Sequence, residues 1–440
     1  KYIVEVRCKE KDWRNFLTFR GIAILPAHEI GGLTGKQYLD DYNFKYTATS
    51  GPYTVRPGDI KNNESLTLTR RRDYWGDQEP INTGLHNFDK IRFVVIREDR
   101  LAFDRACKGE LDFYPVYTAQ WWVQDLPRIE AVKKGHLIRQ KVYSQAPVGT
   151  QGIAFNMRHP PLDDIRVRLA IAHLYDRKKM VDKFAFGQYE LLKSYYQGGP
   201  YENPDNKVVE YDPQKARELL AEAGWTKRGT DGILVKDGKR LSFNLSYRTE
   251  GFEKYFTSLK EDCAKAGVEI ELNLLTGETW WSNQMDRKFE LSSSAWTGSL
   301  FPSPRPQLYS TLADQVGSNN VTGFQNERAD ELIRLYEQEF DSAERAKILR
   351  ELDGLVFNEH PYALEWALPC ERIMWWNNFG MPETVLPRHG EWREVFATWW
   401  VDPTKEAALK SAIASGQPLT PIPPEDFHPD YGAAPDESGI

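Results

Sequence analysis

The side chains here that could carry a reaction are eight histidines, four cysteines and several paired acids. The histidines are dispersed from His28 to His428, and none stands in the HExxH spacing that holds zinc from one helix face. Asp163 beside Asp164, and Glu391 with Glu394, sit where acids cap helices or face solvent. A glycoside hydrolase would need two such carboxylates opposed across a cleft, which spacing alone leaves open. The chain contains no GxSxG elbow, no phosphate-cradling Walker loop and no GxGxxG after a strand. Cys8, Cys107, Cys263 and Cys370 lack CxxC spacing, which argues against zinc and leaves disulfides and four free thiols equally open. No cofactor or metal is expected. What remains is binding chemistry: aromatic residues make up 13% of the chain, with 14 Trp and 21 Tyr. Indole and phenol rings offer a broad apolar face and a polar tip, the material of ligand grooves, although core packing accounts for most of them.

The elements that must position such groups alternate between strand and helix, without a short repeat. The run 65–75 alternates as a half-buried strand does, and 88–98 reads as another strand. Residues 99–113 read as a helix stopped by Gly109 and a returning strand, a β-α-β unit. In the stretch FNMRHPPLDDIRVRLAIAHLYDRKKM, residues 155–180, a strand ends at Asn156 and Pro160-Pro161 bars its continuation as helix. Asp163 or Asp164 then caps a helix whose apolar face is Ile165, Leu169 and Ala172, flanked by Arg166 and Arg168, and Asp176 caps the next. This is a structural joint, not a catalytic basic patch. Residues 211–225 have Asp212 as N-cap, Pro213 at the first helical position and Gly224 past the end. Strands at 241–248 and 268–275 bracket a helix over 253–266, and Asp341 with Glu344 forms a capping box for a helix ending near Asn358. Beyond Trp400 a short helix leads into a Pro- and acid-rich tail that reads as extended or disordered.

At 440 residues the chain can build two or three cores. A net charge of -7 argues against nucleic acid as the main partner, and no apolar run reaches the ~18 residues of a membrane span. The first residues, with Ile3, Val4 and Val6 among charges, read as a strand already under way and lack the apolar core of a signal peptide. That is the look of a fragment or a processed product.

Taken in order, TSGPYTV, RRRDYWGD, GELDF, FNMRHPPLDDIRVRLAIAHLYDRKKMV, YDPQKARELLAEAGW and ERADELIRLYEQEF resemble the family 5 extracytoplasmic solute-binding proteins of ABC importers. Each motif is weak alone; their joint order, from about Gly21 to Trp400, is specific. NTGLHNFDKIRF and LYSTLADQVGSNNVTGF are closest to the YejA-like branch. The resemblance implies an α/β fold of the type II periplasmic-binding-protein class, two lobes that close like a flytrap on a peptide or peptide-like solute, delivered to the importer's membrane subunits. It implies that 1–48 ends an appended subdomain of lobe I with a linker, 49–151 belongs to lobe I, 152–371 to lobe II, 372–401 returns to lobe I, and 402–440 is the helix and tail. It also implies a missing N-terminal part of lobe I, supplied by a separate fragment. Trp296 matches the family's cleft tryptophan and Trp281, beside Trp280, a second one. Ser299 stands where peptide-binding relatives place the aspartate that pairs with the ligand's amine, so a different anchoring rule is implied. Phe301 follows on the same loop, and Asn156, Asn319, Asn320 and Tyr195 complete the candidate ligand set. Two other classes remain open: an enzyme acting on glycans or peptides in an aromatic cleft, and a scaffold subunit derived from a binding protein.

Overall fold

The computed structural model describes residues 4–42 and 45–432. Among these, residues 4–15 and 146–369 form one unit, and 16–145 with 370–432 a second. The chain passes between the units at 145/146 and 369/370, and residues 4–15 belong to the unit of 146–369. Ile3 lies outside the described residues, and Val4 and Val6 are exposed and in no strand.

The first unit is built on five strands: β1 Thr150–Phe155, β2 Ser242–Tyr247, β3 Glu269–Leu274, β4 Leu291–Trp296 and β5 Tyr362–Leu364, in the order β3-β2-β4-β1-β5. β2 runs parallel to β3 and β4, whereas β1 pairs antiparallel with β4 and β5. Parallel strands need covered faces, and β2 supplies Phe243, Leu245 and Tyr247 to a core completed by the helices around it. These are α1 Ile165–His173, α2 Arg177–Phe184, α3 Pro213–Glu222 and α4 Glu253–Ala266. α4 is the crossover between β2 and β3; it buries Phe256, Leu259 and Cys263 and ends at Gly267, whose φ of 97° only glycine adopts freely. Each large apolar side chain buried here contributes roughly 1.5–3 kcal/mol. The expected N-caps form: Asp164, Asp176 and Asp212 accept from the amides of Arg166, Lys179 and Lys215.

The joint around α1 differs in one respect from its sequence pattern. Val167, Ala170 and Ile171 face the core with Ala172, while Ile165 and Leu169 are only half-buried. Arg168 is not a flanking residue but a buried one, donating to the carbonyls of Leu162, Asp163, Glu359 and His360. A buried guanidinium needs such partners, and these tie α1 to the end of a distant helix. That helix, α7 Ser342–Glu359, pairs with α6 Glu327–Gln338 around Leu332, Ile333, Tyr336 and Leu352. Asp341 caps α7 through the Glu344 amide, but the Glu344 carboxylate turns to Lys347, so the capping box is half-formed.

Just past β5, the fully buried Glu365 accepts from Tyr175 Oη at 2.7 Å and from Gln151 Nε2 at 2.9 Å. Burial pushes its carboxyl up to about 7, against the pull of those two hydrogen bonds and of Arg177. Burial, with Arg168 nearby, holds the His360 imidazole down at about 4.

In the second unit, strands at Tyr53–Thr54, Ile60–Lys61, Ser65–Arg70 and Lys90–Val94 form an antiparallel sheet. Another sheet runs Asp426–Phe427, Leu137–Val142, Glu371–Trp376, Phe113–Pro115. The C-terminal tail is therefore not loose in its described part. After the helix Pro403–Ser415, Asp426–Phe427 pairs parallel with Leu137–Val142, and Glu425 accepts from Trp122 Nε1 at 2.8 Å and from Arg139. Residues 433–440 of the expected tail lie outside the described residues. All four cysteines are free thiols.

Candidate functional site

The carboxyl ends of β2, β3 and β4 lie along one edge of the first unit's sheet, the edge where open α/β sheets hold ligands. β2 leads into Arg248. β3 leads through Thr276, whose hydroxyl caps the amide of Thr279, into α5 Gly277–Met285, which carries Trp280 and Trp281. β4 ends in Trp296 and continues as the loop 297–304. Three consecutive chain reversals thus deliver an arginine, two tryptophans and a third tryptophan with its loop to the same edge.

The two neighbouring indoles differ in role. Trp280 is 5% exposed; its Nε1 donates to Ser292 Oγ on β4 at 3.1 Å, and the Arg248 guanidinium lies over its ring at 4.4 Å. Trp281, with its ring 6.0 Å from that of Trp280, is 45% exposed and offers an unspent apolar face. Trp296 is half-buried, with its Nε1 donating to Tyr362 Oη at 3.0 Å. Tyr195 packs its edge on Tyr362 at 6.1 Å, and its backbone is fixed by Thr150 Oγ1 at 3.2 Å and by the Asp353 carboxylate at 2.8 Å. Because Trp296 is the register partner of Thr150, Trp296 and Tyr195 meet at one end of the β4–β1 pair.

The loop 297–304 is held along its length. A side chain at Gly298 would come within 2.3 Å of the Pro147 carbonyl, so only glycine lets the two backbones pass. Ser299 is exposed and its Oγ accepts from the Phe301 amide at 3.2 Å. Tyr201 Oη donates to the Leu300 carbonyl at 3.2 Å, and Tyr336 Oη to that of Pro302 at 2.9 Å. The remaining hold comes from the other end of the chain. Arg14 Nη1 donates to the Phe301 carbonyl at 2.7 Å and also to that of Pro302. Trp13 sets its ring edgewise to Phe301 and Tyr336 at 5.9 and 5.5 Å, under the Arg345 guanidinium at 4.1 Å.

The asparagines of the candidate set do not belong here. Asn156 follows Phe155, the register partner of Leu291, so it stands six residues along the chain from Thr150, the level of Trp296, about 20 Å away. Asn156 is fully buried, donates to the carbonyls of Arg287 and Phe289 and accepts from Arg158. Arg158 also donates to the carbonyl of Asn320, which places the turn with Asn319 and Asn320 at that far end. Asn320 is fully buried too, its amide donating to the Tyr309 and Phe324 carbonyls and accepting from Gly323 and Phe324. Asn319 is half-buried in the same turn. The Asn320 amide has both donors and both acceptor positions spent, and the Asn156 amide both donors, so neither is free to donate to a ligand. Asn156 and Asn320 are scaffold.

Sequence reasoning missed Arg248, Tyr362 and the Trp13–Arg14 pair. The signal for Arg248 was present, since it is the last residue of a strand expected in a β-α-β unit. Nothing local marks Trp13, whose partners lie hundreds of residues on. Among the described residues no group of three or more His, Cys, Asp or Glu could hold a metal. No described helix is long and apolar enough to cross a membrane.

A model of the bacterial extracellular solute-binding proteins, family 5 (middle), matches residues 1–319, and the chain belongs to that family. It is similar to YejA of Escherichia coli K12, an uncharacterized protein, at 24% identity over 403 residues, covering 84% of this chain and 65% of that one. Oligopeptide-binding protein AppA of Bacillus subtilis is 24% identical over 377 residues, covering 82% of this chain and 63% of AppA. The chain thus spans just under two-thirds of the length of these relatives. Among solved structures, AppA of Bacillus subtilis in complex with a nonapeptide superposes with a TM-score of 0.73 at 22% identity, over 89% of this chain and 75% of that one. DppA of Helicobacter pylori, in complex with the peptide STSA, gives 0.70 at 17%, over 89% and 70%. The fold is that of a family 5 solute-binding protein.

Proposed function

We propose that the chain is the capture component of an ABC importer, holding a peptide or peptide-like solute at the carboxyl edge of β2, β3 and β4 on the outer side of the cytoplasmic membrane. The observation that carries this reading is the composition of that edge. It presents the exposed Trp281, the half-buried Trp296 and a loop fixed along its length, and residues 291–304 contain no Asp, Glu, His or Cys. Such a surface supplies apolar walls and main-chain groups, which bind peptide backbones while tolerating varied side chains. It supplies no acid–base pair or activated nucleophile on the loop, so the ligand is bound and released unchanged, in contrast to the glycan- or peptide-acting enzyme. The importer's membrane subunits are the partners this role requires, and the periplasm is where it is played. The relatives AppA and DppA, crystallised with peptides, support peptide as the ligand class.

Native mass spectrometry of the purified protein tests this. The expected result is a ladder of masses above the bare chain that denaturation releases as intact peptides. Release of cleaved products that accumulate with time, or of no peptide after incubation with a mixed-sequence peptide pool, would overturn it.

A further inference from the structure

Beyond the helix Pro403–Ser415, residues 417–432 run alongside residues 134–145 of the second unit and are pinned to them at short intervals. The Leu419 amide donates to the Lys134 carbonyl at 2.8 Å, and the Gln417 carbonyl lies 2.7 Å from His136 Nε2. Between them, a side chain at Gly135 would come within 2.5 Å of the Leu419 carbonyl. Gln140 Nε2 donates to the Pro424 carbonyl at 3.0 Å, and the amides of Lys141 and Tyr143 to the carbonyls of Glu425 and Phe427 at 2.6 and 3.0 Å. The Asp426 carboxylate takes Lys141 Nζ at 3.1 Å and Tyr143 Oη at 3.4 Å, and the His428 ring stacks on that of Tyr143 at 4.1 Å. Phe427 packs against the core that contains Val142 and Ile373. Fixing each residue costs about 1–2 kcal/mol of backbone entropy, so a stretch with few apolar side chains stays in place only where such bonds recur.

Where this strap ends gives it a role. The chain crosses between the units at 145/146 and 369/370. The strand Leu137–Val142 runs into the first crossing, and its antiparallel neighbour Glu371–Trp376 emerges from the second. Tyr143, held by Asp426 and His428, also has its hydroxyl in hydrogen-bond contact with the thiol of Cys370, the first residue past the second crossing. Further on, Tyr431 Oη donates to the Leu386 carbonyl at 3.1 Å, and its own carbonyl accepts from Arg388. Arg388 in turn holds Gln145, the last residue before the first crossing: its guanidinium donates to Gln145 Oε1 at 3.1 Å, and its carbonyl accepts from the Gln145 amide at 2.6 Å.

We propose that residues 417–432 are a brace on the hinge. By fixing Tyr143, Gln145 and Cys370 they limit how freely the chain bends at its two crossings, and so slow the release of captured ligand. Hinges are a few residues that absorb a large backbone change, and tying their flanks restrains that change. The effect on ligand rests on the capture role proposed above; the effect on the crossings does not.

Two variants test this: the full-length double substitution Asp426→Ala/His428→Ala, which keeps Phe427 and the backbone pairing, and a deletion of residues 417–440. Hydrogen–deuterium exchange is read at 145–149 and 368–371 without ligand, and the dissociation rate of a peptide eluted from the wild-type protein is read by stopped flow. In the double variant, exchange at both crossings should rise by about fivefold, the combined effect of an exposed ion pair and a stacked ring pair. Exchange at Ile373–Trp375 should stay as in wild type, peptide should leave faster, and the deletion should exceed both changes. Should the deletion variant fail to fold, the double variant carries the test alone. Exchange at the crossings within about twofold of wild type overturns the brace and leaves peptide binding standing. Faster exchange with an unchanged dissociation rate overturns its part in ligand release. If no peptide elutes, the capture role falls, while the exchange measurement still decides whether the strap braces the crossings.

Discussion

Replacing Arg14 with alanine separates the loop's hold from the rest of the fold. Arg14 gives the Phe301 carbonyl a donor at 2.7 Å and shares that of Pro302 with Tyr336, which stays bonded at 2.9 Å. A hydrogen bond from a charged donor is worth about 1.5–3 kcal/mol, and the half-buried position of Arg14 argues for the lower end. The loop should therefore lose about 1.5 kcal/mol of its preference for the bound geometry. Since about 1.4 kcal/mol is tenfold, Arg14→Ala should weaken ligand binding by up to about tenfold, chiefly through faster dissociation. Isothermal titration with a peptide eluted from the wild-type protein reads the change. The melting temperature should move little, because Trp13 remains seated on Tyr336 and the buried sheet is untouched. Affinity within twofold of wild type would show that the N-terminal segment merely rests on the loop, and the reasoning would fail.

Other consequences are equally open to measurement. Glu365 has a carboxyl near 7 in the folded chain and an ordinary one when unfolded, so the folded state binds more protons between about pH 4.5 and 7. Its contribution is thus lost as pH rises through that window, by up to about 3 kcal/mol, and Glu365→Gln should remove that fall; His360, held near 4, acts in the opposite sense below pH 6.5 in both proteins. Denaturant titrations of the pair at pH 5 and 7.5 check the difference, which parallel curves would contradict. Trp281→Ala should leave stability within about 0.5 kcal/mol, as surface changes do, while weakening binding roughly tenfold. Asn320→Ala should do the reverse, costing about 2–4 kcal/mol through stranded backbone groups and leaving the affinity of the folded protein unchanged.

How far such a site can be read from sequence depends on how local its determinants are. The caps at Asp164, Asp176 and Asp212 and the β2-α4-β3 unit follow from short patterns, and the structure shows each. The order of those motifs was enough to indicate the family fold. Trp296 and Tyr195 do meet, because both depend on the start of β1. Asn156 was misplaced for the complementary reason: it lies just past the other end of the same strand, and only the antiparallel register reveals that this end is the far one. Arg168 looked solvent-facing because charge usually marks the exposed side of a helix, and its carbonyl partners come from a helix some 190 residues later. The Trp13 clamp and the pairing of Asp426–Phe427 are likewise long-range and leave no local trace.

Hydrogen–deuterium exchange, with and without the peptide that native mass spectrometry identifies, addresses the central claim most directly. Slowed exchange is expected at residues 275–282 and 296–304, at the ends of β3 and β4, with the turn around Asn319 and Asn320 unaffected. Saturating peptide that leaves both of those segments unchanged would contradict it.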